Sequence, residues 1–164
     1  MPVNPTTRNR LEAQGFCGLD DATIEELAPW MRWTYTLGAL VTIIGVALMS
    51  PAVLWAFAAI TLAGVFLPFH PFDLLYNNGV RYLTGTKPFP RQGPQRRFVF
   101  GVATAWLLAT GWAFHVGANI VGFAFGAPLI LVGAVASTTH FCIPSFIYNT
   151  IFRRRNKPAV RERL

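Results

Sequence analysis

Charged and apolar positions in this chain separate into long blocks and do not alternate at short range. From Trp33 to Phe69 there are 37 residues without one Asp, Glu, Lys or Arg, and from Phe98 to Phe152 another 55. A bilayer's hydrocarbon layer is about 30 Å thick, the length of a helix of roughly 20 residues. Each neutral block is too long for one crossing and suits two crossings joined by a tight turn. Ser50-Pro51 supplies the first turn, because proline inside a helix removes a hydrogen bond and clashes with the preceding turn. The second break falls within 115–119. The spacing therefore predicts spans at about 33–49, 51–69, 98–114 and 120–141. Pro128, inside the fourth, reads as a kink or as an extension of the turn, and the kink is preferred. The expected fold is an all-α membrane protein with four transmembrane helices in two hairpins, and short interfacial helices on the cytoplasmic side. A soluble helical bundle would need polar outer faces, which these segments lack.

Three further regions complete the expected organisation: a lead over 1–32, a loop over 70–97 and a basic tail over 153–164. In the lead, Asp20 can cap a short helix over 21–28, with acidic residues favouring its positive end. Trp30, Trp33 and Tyr35 sit where interfacial aromatics belong. Five of the seven carboxylates lie in this lead, as a face that could pair with the basic loop or dock a partner. Pro71 can open a short interfacial helix that Gly79 or Gly85 would stop. Residues 84–94, rich in Pro and Gly, read as irregular loop. Tyr-Asn-x-x-x-Arg occurs at Tyr76 and again at Tyr148, each time after a His and a Pro. That recurrence suggests an internal repeat about an axis along the membrane normal, with chance as the alternative.

Composition agrees with the block pattern. Over the 164 residues, 53% are hydrophobic and 13% charged, and mean hydropathy is +0.41. A soluble domain carries about 25% charged residues. The net charge of +7 comes from cations at three places. Arg8, Arg10 and Arg32 precede the first span. Arg81, Lys87, Arg91, Arg96 and Arg97 lie between the second and third, and the remainder follow the fourth. Four spans put all three groups on one side, and Lys and Arg near span ends stay in the cytoplasm. Both termini are thus expected in the cytoplasm of a cell whose inner membrane holds the chain. The basic surface would meet anionic headgroups, which removes the nucleic-acid reading. Residues 1–32 lack the continuous apolar core of a cleavable signal, so the first span is expected to direct insertion.

Small residues four apart let helix backbones approach closely in lipid. Gly122, Gly126 and Gly133 form one such series; Gly101, Ala105 and Ala109 form another. They could pack within the chain or against another subunit.

Chemistry is sparse. The spans as drawn hold no ionisable carboxylate or base, which argues against a proton-coupled transporter. Phosphate loops, nucleophile elbows and paired-cysteine motifs are absent. His70, Asp73, His140 and Cys142 are expected at one depth, at the cytoplasmic ends of the second and fourth spans. Two imidazoles, a thiol and a carboxylate could bind a transition metal or ligate haem. The alternative is that the histidines are interfacial hydrogen bonders. Cys17 and Cys142 both fall on the reducing side, where a structural disulfide is not expected.

The runs His70-Pro71-Phe72-Asp73, Tyr76-Asn77, Arg81 to Pro90, Arg96-Arg97-Phe98 and Thr139-His140-Phe141-Cys142-Ile143-Pro144-Ser145 resemble a bacterial membrane family. That family is known as domain of unknown function 4395, and the likeness covers roughly residues 8–150. The resemblance implies a small integral membrane protein and assigns no catalytic or binding residue. Two functions remain in view. One is a non-catalytic accessory or assembly subunit of a respiratory or photosynthetic membrane complex. The other is a cytoplasm-facing metal, haem or thiol redox site. A small-molecule carrier, the weakest option, would need a polar cavity lined by Thr42, Thr61, Thr104 or Thr110.

Overall fold

The computed structural model describes residues 4–14, 16, 19–139 and 143–152. Among them every regular element is helical: α1 (Pro5–Ala13), α2 (Asp21–Leu27), α3 (Trp33–Ala47), α4 (Pro51–Phe66), α5 (Pro71–Leu75), α6 (Arg81–Thr84), α7 (Pro94–His115), α8 (Asn119–Thr139) and α9 (Ile143–Phe152). A 3-10 turn, Trp30–Arg32, leads into α3, and a π-helical stretch, Tyr76–Val80, joins α5 to α6.

The two expected hairpins are present. Ser50 caps α4 through its hydroxyl, which accepts from the Val53 amide at 3.4 Å, and Pro51 occupies the first turn. In this position proline's missing N–H costs nothing. The second hairpin turns at Gly117, whose φ is +76°. Helices α3 and α8 pack together, as do α4 and α7, so each hairpin's second helix lies on the first helix of the other. A two-fold axis along the bundle would exchange these two contacts.

The pairing is antiparallel and close. A Cβ built at Gly126 would meet Val46, and one at Gly133 would meet Ala39. The α8 glycines thus admit α3 into direct contact, within the chain. The small residues of α7 behave differently, because Ala105 and Ala109 are exposed.

Two points differ from the sequence reading. Helix α7 begins at Pro94 rather than Phe98, which draws Arg96 and Arg97 into its first turn. Gly93, extended and non-helical, precedes that proline. Among the described residues, only α7 (22 residues) and α8 (21 residues) are long and apolar enough to cross a membrane, or three spans if α4 and the helix bent 82° from it are counted together. Four were expected. The reason is that α3 and α4 have 15 and 16 residues, about 23 Å of helix at 1.5 Å per residue. α8 continues through Pro128.

The lead folds over one end of the bundle. Asp20 caps α2 as expected, accepting from the Thr23 amide at 3.3 Å. Leu11, Phe16, Ile24, Leu27 and Met31 bury themselves with Tyr76 and Phe89 in one cluster. Tyr76 stacks on Phe89 with centroids 4.1 Å apart. The acidic lead meets the loop through Glu26, which accepts from the Lys87 backbone amide at 2.7 Å. Gly85, with φ +66°, ends the helical run that Pro71 opens.

Candidate functional site

The bend between α4 and α5 places His70 and Asp73 inside the protein. His70 is the residue before α5, and its Nδ1 accepts from the Phe72 amide at 3.2 Å. It caps the short helix as Asp or Asn would, with an imidazole nitrogen in place of the carboxyl oxygen. Asp73 follows one turn later. Both are 1% exposed.

Asp73 is held by a cation that the sequence reading had placed at the membrane surface. Arg96, also 1% exposed, brings Nη1 to 2.9 Å from Oδ2 and Nη2 to 3.4 Å from Oδ1. Thr34 from α3 donates its hydroxyl to Oδ1. The guanidinium lies 4.8 Å from the Phe16 ring centroid and 5.5 Å from that of Phe100. Such faces attract a cation through the ring quadrupole. The lead (Phe16), α3 (Thr34), α5 (Asp73) and α7 (Arg96) therefore converge on one ion pair.

The helical register carried the missing signal. Val99, Phe100 and Leu107 are buried, three, four and eleven positions beyond Arg96, on the inner face of a 3.6-residue period. Arg97 falls outside that stripe and is exposed. Asp73, alone among apolar neighbours, required a buried cation, because an unpaired charge is costly away from water.

His70 sits beside this pair. Its ring centroid is 4.2 Å from that of Phe100. A Cβ added at Gly64 would fall 2.4 Å from His70 Cδ2, so only glycine leaves room for the imidazole against α4. His70 follows the end of α4, and burial, only partly offset by Asp73, pushes its pKa down from 6.5 to about 4. It is neutral at pH 7. Because Nδ1 accepts a backbone hydrogen bond, the ring proton belongs on Nε2. Nε2 is buried and has no hydrogen-bond partner.

The proposed metal set is thus brought together only in part. Asp73 and His70 are neighbours, yet Asp73 is committed to Arg96 and Thr34, and His70 presents a proton rather than a lone pair. His140 and Cys142 lie outside the described residues, as does Cys17. Among the described residues no three His, Cys, Asp or Glu side chains group for a metal ion. Asn77 fixes the loop, its Oδ1 accepting from the Phe89 amide at 2.8 Å.

A cavity of about 90 Å³ extends from His70 into the bundle, lined by all four long helices. It is not the polar chamber a carrier would need. Thr42 and Thr61 line it, but their hydroxyls donate to Gly38 O at 2.8 Å and Ala58 O at 2.9 Å. Thr104 and Thr110 likewise bond the carbonyls of Phe100 and Trp106.

No curated protein and no solved structure matches the chain. A family model does, over residues 28–153, a stretch that takes in all four bundle helices, His70, Asp73 and Arg96. The chain belongs to the family described as domain of unknown function DUF4395.

Proposed function

We propose that the chain is a non-catalytic integral protein of the bacterial inner membrane, acting as an accessory or assembly subunit of a larger respiratory or photosynthetic complex. In this reading all four long helices cross the membrane. The 3-10 turn lengthens α3, and local thinning of the bilayer accommodates α3 and α4 at a cost of a fraction of a kcal/mol per Å. Both termini and the loop at 85–93 face the cytoplasm, where Arg81, Lys87, Arg91 and Arg97 meet anionic headgroups and other subunits.

The observation that carries the proposal is the outer face of α7. Ala105 and Ala109 point away from the bundle, flanked by Leu108 and by Trp112, which is 60% exposed. Close helix approach in lipid uses small residues, and here they are turned outward. The α8 glycines, by contrast, are used internally. The two charged side chains buried among the described residues, Asp73 and Arg96, are held in a structural ion pair, which supports a non-catalytic role.

The test is purification from native membranes in mild detergent, with wild type beside Ala105→Leu/Ala109→Leu. The wild type should bring stoichiometric membrane subunits, and the variant, whose changes lie outside the core, should lose them while staying folded. A wild-type protein that purifies alone would end the proposal.

A further inference from the structure

The cavity at His70 has an unbalanced polar inventory. Its walls are supplied mainly by apolar and small residues, among them Ala39, Phe57, Ala103, Leu129 and Val132. The Thr34 hydroxyl donates to Asp73, and the Thr42 and Thr61 hydroxyls donate to carbonyls of their own helices. Tyr35 is engaged as well. His70 Nε2 remains, a buried N–H with no acceptor. It cannot swing away, because Gly64 and Phe100 close on the ring from two sides.

An unmade hydrogen bond in such a place costs roughly 1–3 kcal/mol. A water molecule is a poor remedy, since a buried water needs two to four polar partners. Volume limits the other occupants. An apolar cavity of about 150 Å³ accepts benzene, so about 90 Å³ suits a somewhat smaller body. We propose that this cavity is a binding site for a small neutral molecule with an apolar body and one carbonyl-type oxygen, which accepts the Nε2 proton of His70. Charged compounds are excluded, because none of the lining residues carries a charge. Asp73 and Arg96 neutralise one another beside it.

The probes are acetone and 2-methylpropene, which differ in shape by little more than the exchange of C=O for C=CH₂. Purified full-length protein, labelled with ¹⁵N at histidine, is titrated with each. The ketone should move the Nε2 resonance of His70, and His70→Phe should weaken ketone binding at least about fivefold relative to the hydrocarbon, the worth of one hydrogen bond. Should that variant fail to fold, Ala103→Leu, which fills the chamber from α7, should abolish binding of both probes and leave the His70 signal in place. A ketone-to-hydrocarbon affinity ratio that His70→Phe leaves unchanged, or a His70 resonance that neither probe moves, would overturn the proposal.

Discussion

Met49, at the turn between α3 and α4, is the one non-glycine residue with positive φ, +47°, among those described. An L-residue pays about 1 kcal/mol for the left-handed region, and glycine does not. The second hairpin meets the same need with Gly117 at +76°. Met49 is 44% exposed, so replacing it loses little burial. Met49→Gly should raise thermal stability in detergent by about 0.5–1 kcal/mol, and Gly117→Val should lower it by at least as much. His70 supports a second expectation. Its pKa is about 4 in the folded protein against 6.5 for the free side chain. The unfolded chain therefore binds the extra proton as pH falls between those values, and the neutral, buried His70 loses stability through that interval. The total is about 3 kcal/mol at most. The charged groups it faces, Asp73 and Arg96, are common to wild type and His70→Asn. Unfolding measured from pH 7 to 4 should show a steeper loss in the wild type than in the variant, and parallel curves would remove this account.

Between elements, the ion pair joins α5 to α7, Thr34 ties it to α3, and Phe16 seals it with the lead. The desolvation of two charges offsets much of their attraction, so the pair is a weak source of net stability and a strong source of dependence on both partners. Asp73→Asn or Arg96→Met alone should cost roughly 3–5 kcal/mol, because each leaves a group buried without its countercharge. Asp73→Asn with Arg96→Met should cost much less than the two singles combined. A double-mutant cycle on unfolding in detergent measures the difference, and strict additivity would contradict the coupling. Local order within these elements was legible from residue types. Asp20, Ser50, Pro51, Pro71 and Gly85 each act where their chemistry predicts, as cap, first turn or stop. The ion pair is not legible in the sequence, because Asp73 and Arg96 are 23 positions apart and Arg96 lies just outside the charge-free block that begins at Phe98. Only the register of Arg96 with Val99, Phe100 and Leu107 separates it from its exposed neighbour. Helix α1 was also missed, since its polar sequence has no apolar stripe. It is opened by Asn4, which caps Thr6 at 2.9 Å, and Pro5, and Leu11 reaches the core under the lead.

For the whole molecule, the hairpin pattern sets an asymmetry that the bundle makes explicit. The free ends of both hairpins carry the lead, α5, the loop and α9, together with every cation among the described residues. The opposite end has two short turns and no charge, at 48–50 and 116–118. The neutral blocks made this legible. The number of spans was less so, because helix ends depend on packing, and α3 and α4 stop short of the length that a bilayer of average thickness asks for. The two alternatives differ in a measurable way. If all four helices cross, Ser50 and Ala118 lie on one side and Gln92 and Arg91 on the other. If α3 and α4 lie within one leaflet, Ser50 shares a side with Arg91. Cys17→Ser/Cys142→Ser would provide a background free of native thiols. Single cysteines at Ser50, Ala118 and Arg91 are then treated, in intact cells, with a membrane-impermeant maleimide. Four spans predict labelling at 50 and 118 and protection at 91 until the cells are opened. Protection at 50 with labelling at 118 would reduce the spans to α7 and α8. Labelling at 91 in intact cells would invert the orientation and with it the headgroup contact proposed for the basic loop.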